Sequence, residues 1–389
     1  MTTIILFLLI LGLLVVVHEW GHFITARKSG MKVHEFGFGY PPRAFGFYRD
    51  PVTKKIIWIW GKGKSSLKKT VSGDEQQDEF PATLWSFNWL PLGGFVRIKG
   101  ENGEEAGDND SFQYHKAWKR IMVLVAGVTM NFILAVAILG FGFMIGLPTD
   151  LSQGVDANAI IVEEAGVLVQ QVNADSPADS AGVQFGDVIK HIGDMDIKTV
   201  ADVHTILENK VGETLTLRVQ RGNELVDMTI IPEAVEGQSR AILGVAIAEA
   251  GVVRYPWYIA LYKGLFAATF GLINIFVAFY FLIKNLILGH GLLFDIAGPV
   301  GIATVVGQSA KLGFNYVLNI TAMLSLSLTA INILPIPALD GGRVLFIIIE
   351  KIIRKPVPMK YEQIAHTIGF VLLMLLVVVV TWRDVVRIL

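Results

Sequence analysis

The chain has no cysteine among its 389 residues. That single absence excludes thiolate and mixed Cys–His metal sites, a thiol nucleophile and any disulfide framework. Charge is scarce too: 17% of residues are charged against 53% hydrophobic, and the mean hydropathy is +0.54. So little charge excludes an ordinary soluble protein and points to a membrane protein. The formal net charge of −1 supplies no basic face, so no nucleic-acid partner is expected. The apolar start, Met1 to Val17, lacks a charged flank and a small-residue cleavage site. It leads straight into His18-Glu19 and reads as a retained span rather than a signal peptide. The sequence shows neither a low-complexity tail nor a repeat.

What is present is a set of apolar runs long enough to cross roughly 30 Å of hydrocarbon. They cover about residues 3–25, the stretch after Trp118-Lys119-Arg120 to about Leu147, 256–288, 315–339 and 364–382. The stretch 30–117 mixes basic, glycine and aromatic residues, with strand-like alternation in Lys32–Phe38, Ile56–Trp60 and Gly94–Lys99. Basic residues cluster between the first two runs (Arg27, Lys28, Lys32, Arg43, Lys116, Lys119, Arg120) and between the last two (Arg343, Lys351, Arg354, Lys355, Lys360). Both connections are therefore expected in the cytoplasm, with the N-terminus and the soluble insert at 158–250 on the opposite side.

The first run ends in His18-Glu19-Trp20-Gly21-His22. Residues four apart share a helix face, so two imidazoles can meet one metal ion, and zinc is the ion that this pattern suits. Glu19 is placed to take a proton from a water that the metal acidifies. Interfacial polar residues could close a span in the same way. Ionisable groups after fifteen apolar residues are costly in lipid, however, and favour a functional role. A third ligand is needed. The longer pattern with a third His fails because position 28 is Lys28, while His34 and Glu35 fall in a segment that reads as a strand. A distant candidate is Asp340, which ends an apolar span in Asn332-Ile333-Leu334-Pro335-Ile336-Pro337-Ala338-Leu339-Asp340-Gly341-Gly342. Two prolines there free backbone groups, tolerable at membrane depth only beside a cavity or ligand. An ordinary helix end with a Pro and Asp-Gly turn would look the same. For Asp340 to reach the histidines, 315–339 must run toward the cytoplasm. The run 256–288 must then lie at the surface or form a re-entrant pair.

With these residues in view the chain resembles the site-2 protease family of intramembrane metalloproteases, most closely its bacterial regulator-of-sigma-E group. The resemblance rests on His18–His22 in the first span, the Asn332–Asp340 segment and a PDZ-like insert between spans. It implies zinc held by His18, His22 and Asp340, Glu19 as catalytic base, and Asn332 and Pro335 holding substrate. Gly37-Phe38-Gly39 and Leu92-Gly93-Gly94-Phe95 look like the family's membrane-reentrant β-structure, with Gly93 and Gly94 beside substrate; glycines in strands also mark simple bulges. The implied fold is a polytopic α-helical membrane protein with a membrane-associated β segment and an inserted PDZ (α+β) domain. Its division is 1–29 first transmembrane helix, 30–117 cytoplasmic-side β loop, 118–147 second helix and 158–250 PDZ domain. It continues with 251–313 membrane-associated or re-entrant helices, 314–345 helix with the Asp340 motif and 361–389 last helix.

Within the insert, Ser176–Ile189, a helix at Val200–Asn209 and a hairpin of Thr214–Arg221 with Glu224–Ile230 around Gly222-Asn223 read as one PDZ domain. His191 and His204 lack ligand spacing and read as ordinary domain residues. The resemblance further implies a bacterial cytoplasmic membrane location and pre-trimmed single-pass substrates such as anti-sigma factors and remnant signal peptides. An upstream site-1 protease would do the trimming. A non-catalytic PDZ scaffold with a structural metal is the alternative, against which Glu19 speaks because a structural metal needs no base. A transporter would favour an inverted repeat, and none is seen.

Overall fold

The computed structural model describes residues 2–61, 67–68, 78–103, 107–152, 154, 156–173, 175–208, 210–222, 224–234, 241–289, 297–355 and 357–388. The chain opens with α1 (Thr2–Lys28), followed by β1 (Val33–Arg49), β2 (Ile56–Trp60), β3 (Leu84–Ile98) and α2 (Ala117–Ile145). The insert then runs through β4 (Leu147–Asp150), β5 (Ile160–Val172), α3 (Pro177–Ser180), β6 (Val188–Ile192), α4 (Val200–Leu207), β7 (Leu215–Arg221), β8 (Glu224–Ile230) and β9 (Val245–Arg254). Five helices close the chain: α5 (Trp257–Leu288), α6 (Pro299–Leu312), α7 (Phe314–Ile333), α8 (Asp340–Ile353) and α9 (Met359–Ile388). Among the described residues α1, α2, α5, α7 and α9 are long and apolar enough to cross a membrane. The protein is a polytopic helical membrane protein with a sheet-rich insert.

Helix packing relies on small residues, which let backbones approach closely where lipid removes the hydrophobic drive between helices. A side chain at Gly21 would strike the Ala126 carbonyl of α2, and one at Gly264 of α5 would strike Gly140 of α2. The short sheet beside α1 is folded back on itself. Phe36 of β1 is flanked by Val96 on one side and Trp85 on the other, both from β3, and Phe47 further along β1 meets Trp85 again. Bulges and glycines bend these strands, so β3 contributes both a central strand and the edge that lies on α1.

The insert is an antiparallel sheet in the order β8-β7-β6-β5-β9-β4. Its core is built from Val167, Val169, Ile189, Leu217, Val219 and Ile230 with Val203 of α4. Thr199 and Asp202 form a reciprocal capping box at the start of α4. The hairpin register pairs Arg221 with Glu224; Asn223 and Asn209 lie outside the described residues.

Two expectations change. The run 256–288 neither breaks nor turns. With no proline inside it and Gly264 and Ala268 fitted against α2, it continues as the single helix α5. Parity is restored by α6, which brings the chain back toward the insert. Gly307 meets Thr3 at the start of α1, and Leu312 touches Gly186 of the insert. Asparagine 315 at the start of α7 accordingly stands beside Gly146, where α2 ends. The second change is at Asp340, which opens α8 instead of ending a span. Pro335 and Pro337 lack N–H donors, and α7 stops at Ile333 before them.

Candidate metal centre

His18 and His22 sit one turn apart on the face of α1 that packs on α2, and both are buried. His22 Nδ1 donates to the Val123 carbonyl at 2.9 Å. A carbonyl can only accept, so Nδ1 carries a proton and Nε2 is the nitrogen that can offer a lone pair to a metal. His18 Nε2 lies 3.1 Å from His22 Nε2. Asp340 Oδ2 lies 3.0 Å from His18 Nε2 and 3.3 Å from His22 Nε2. That buried carboxylate oxygen has no hydrogen-bond partner among the described residues. Three electron-pair donors thus face one another.

The spacing fits a metal. Four donors at zinc–ligand bonds of about 2.0–2.1 Å in a tetrahedron stand about 3.3 Å apart. The three observed edges of 3.0, 3.1 and 3.3 Å match a slightly contracted face of that figure and leave a fourth position open. Among the described residues this is the one group of three or more His, Asp or Glu that could hold an ion. Glu35 faces Arg97 at 3.9 Å instead, and His34 shares its strand β1.

Glu19 follows His18 directly on α1 and stands between the cluster of His18, His22 and Asp340 and the sheet. Its Cγ lies 3.9 Å from where a Cβ on Gly94 would sit, and Gly93, at φ +95°, packs on Val15. Any side chain at Gly93 would be strained by that backbone and pressed against α1. Asn332 and Pro335 line a cavity together with Asp340.

Four residues escaped the sequence reading. Gly127 of α2 faces both imidazoles so closely that a Cβ there would collide with them. One turn on, the buried Asn131 places its side-chain amide nitrogen 3.5 Å from His18 Nδ1, and its backbone carbonyl accepts from the Ser325 hydroxyl of α7 at 2.8 Å. On α9, His366 Nδ1 accepts the N–H of Ala338 at 2.7 Å, where the backbone has φ +80°. Gly369 of α9 fits directly against the Pro337 carbonyl. The only signals in the sequence are a Gly and an Asn four apart, and a lone His and Gly in an apolar run. Ion pairs of Arg343 with Glu101 and of Arg120 with Glu350 (2.6 Å) fasten α8 to the segment before α2 and to α2 itself.

The sequence profile described as peptidase family M50 matches residues 6–63 and 76–376. The chain belongs to peptidase family M50. Zinc metalloprotease RasP of Oceanobacillus iheyensis is 31% identical, covering 100% of this chain and 99% of its own. The putative zinc metalloprotease CPE1693 of Clostridium perfringens is 33% identical, with 98% of both chains covered. The regulator of sigma-W protease RasP of Bacillus subtilis is 29% identical over 99% of this chain and 98% of that protein. The insert is similar to the PDZ domain of the SdrC-like protein Lmo2051 from Listeria monocytogenes, 24% identical over 23% of this chain and 93% of that one, with a TM-score of 0.21. As a member of M50 the chain is a membrane metalloprotease.

Proposed function

We propose that this M50 member is a zinc-dependent endopeptidase that cuts single-pass membrane proteins within the bilayer. The observation that carries the reading is the convergence of His18, His22 and Asp340 at 3.0–3.3 Å, with both histidines inside α1, a helix long enough to cross a membrane. His18 lies sixteen residues into α1, about 24 Å along its axis and so within a hydrocarbon layer of roughly 30 Å.

In this reading His18, His22 and Asp340 hold the metal. Zinc, when bound, supplies Lewis acidity that polarises the scissile carbonyl and makes water a better acid. Glu19 takes the proton of the attacking water and returns it to the departing amine, so the products are one carboxylate chain end and one amine. An intact substrate helix hides its carbonyls in its own hydrogen bonds, so the substrate must first unwind. The edge of β3 around Gly93–Gly94, next to Glu19, supports capture of the extended segment by strand addition, with Asn332 and Pro335 on the other side. The relative named as a regulator of sigma-W protease supports substrates such as membrane-tethered anti-sigma factors. Remnant signal peptides share the same single-pass form. Substrates reach the site after an upstream protease trims them, and the insert screens them by size. The Lys and Arg bias supports an orientation with 30–117 in the bacterial cytoplasm and the insert outside.

Purified protein and its Glu19→Gln variant, offered a truncated single-pass reporter, test this. The expected result is cleavage by the wild type, a loss of at least a hundredfold in the variant, and about one zinc in each. Equal cleavage by both would remove Glu19 from its role.

A further inference from the structure

A cavity of about 170 Å³ lies between α2, the end of α7 and α8. Asp340 and Asn332 line it together with the aliphatic side chains of Val128, Val344, Leu345 and Ile348. Its size narrows what can fill it. Pockets for drug-sized ligands run to roughly 300–1,000 Å³, whereas an apolar cavity of about 150 Å³ holds a single benzene ring. One large side chain fits, and a second residue does not. A polar side chain entering these aliphatic walls would lose its water without replacement.

Position narrows it further. The cavity shares Asp340 with the cluster of His18 and His22, and an extended chain advances about 3.3 Å per residue. A side chain seated there therefore belongs to a residue within one or two positions of the carbonyl presented to the cluster. Leu345 and Ile348 are exposed on the outer face of α8, so the cavity is open to a segment arriving sideways from lipid.

We infer that this cavity is a subsite for one large aliphatic or aromatic side chain next to the scissile bond, and that it sets where a transmembrane segment is cut. The inference rests on the proposed intramembrane cleavage. Because such segments are apolar throughout, the subsite selects by size: Leu, Ile, Met or Phe over Ala, Gly or Ser.

The test uses the full-length protein and a single-pass reporter whose cut site has been mapped by mass spectrometry. Each residue flanking the cut is changed in turn to Ala, Ser, Leu and Phe, and kcat/KM is measured. At one flanking position Leu and Phe should be cut ten- to a hundredfold faster than Ala, since each methylene in such a pocket discriminates about tenfold or more. Ile348→Phe, which fills the cavity, should collapse that preference, and its zinc content, measured alongside, shows that the variant folds. Leu345→Ala, which enlarges the cavity, should shift the preference toward Phe. A flat profile at every flanking position overturns the subsite while leaving the protease reading intact. So does a preference that both variants leave unmoved. If no reporter is cut by wild type, although each variant and the wild type hold zinc, the protease reading itself falls and takes the subsite with it.

Discussion

Two carboxylates in this protein, one buried and one half-buried, have opposite surroundings. In the insert, Asp187 is completely buried, and Arg221 grips both its oxygens through Nε and Nη2 at 2.8 and 2.7 Å. The Gln184 N–H adds a third donor at 2.9 Å. In the membrane half, Asp340 faces two imidazoles, and its Oδ2 has no hydrogen-bond partner among the described residues. The first arrangement is complete in itself, and such a pair holds a fold together. The second is complete only when a cation enters, and it is assembled from α1 and α8, elements more than three hundred residues apart. Satisfied charge marks structure; converging unsatisfied donors mark a ligand.

That contrast can be broken at several points, beginning where the effect should be greatest. Gly127→Val puts methyl groups where the imidazoles of His18 and His22 lie. It should abolish zinc binding and lower cleavage by at least a hundredfold, read by metal analysis and reporter cleavage, without unfolding the insert. Asp187→Ala leaves the Arg221 guanidinium, itself about one-third exposed, without its partner. Removing one member of a buried pair costs about 3–5 kcal/mol, and the partial exposure of Arg221 trims this to about 2 kcal/mol. Hydrogen exchange on the full-length protein should show β6 and β7 opening more readily, with zinc content unchanged. If zinc were lost as well, the two carboxylates would not be independent.

A smaller effect is expected at His366, which touches no ligand but holds the Ala338 N–H two residues before Asp340. Supporting contacts of this kind change metal affinity about 10- to 100-fold, and His366→Ala, acting through a backbone, should release zinc to a chelator about tenfold faster. The least effect comes from Thr199→Ala, which removes one hydrogen bond of the α4 cap and should cost the insert about 1 kcal/mol. The same cap gives a pH dependence. Hydrogen bonds from the backbone N–H groups of Thr199 and then Lys198 hold Asp202 below the usual carboxylate value. A group depressed in the folded state stabilises above its unfolded pKa of about 3.9 and loses that contribution as pH falls below it. Exchange protection at α4 should therefore decline on acidification below about pH 4, and less so in Thr199→Ala.

Much of this architecture is legible in the sequence because membranes make polar residues expensive. His18, Glu19, His22 and Asp340 stand out for that reason, and Pro335 and Pro337 announce the break between α7 and α8. Residues that act by being small or neutral carry no such signal. Gly127 looks like any helix-packing glycine until the imidazoles opposite it are seen, and Asn131 is one amide in an apolar run. The course of 256–288 was equally hidden, since whether an apolar helix bends or runs straight depends on the Gly264–Gly140 contact with another segment. The register of β1 with β3 depends on bulges that glycine permits but does not dictate.

The central claim is that His18, His22 and Asp340 form one metal site. Zinc bound per chain, measured on the purified wild type, Asp340→Asn and Asp187→Asn after equal dialysis, tests it most directly. About one zinc in the wild type and in Asp187→Asn, with loss in Asp340→Asn, is the predicted result. Zinc retained in full by Asp340→Asn, or none in the wild type, would contradict it.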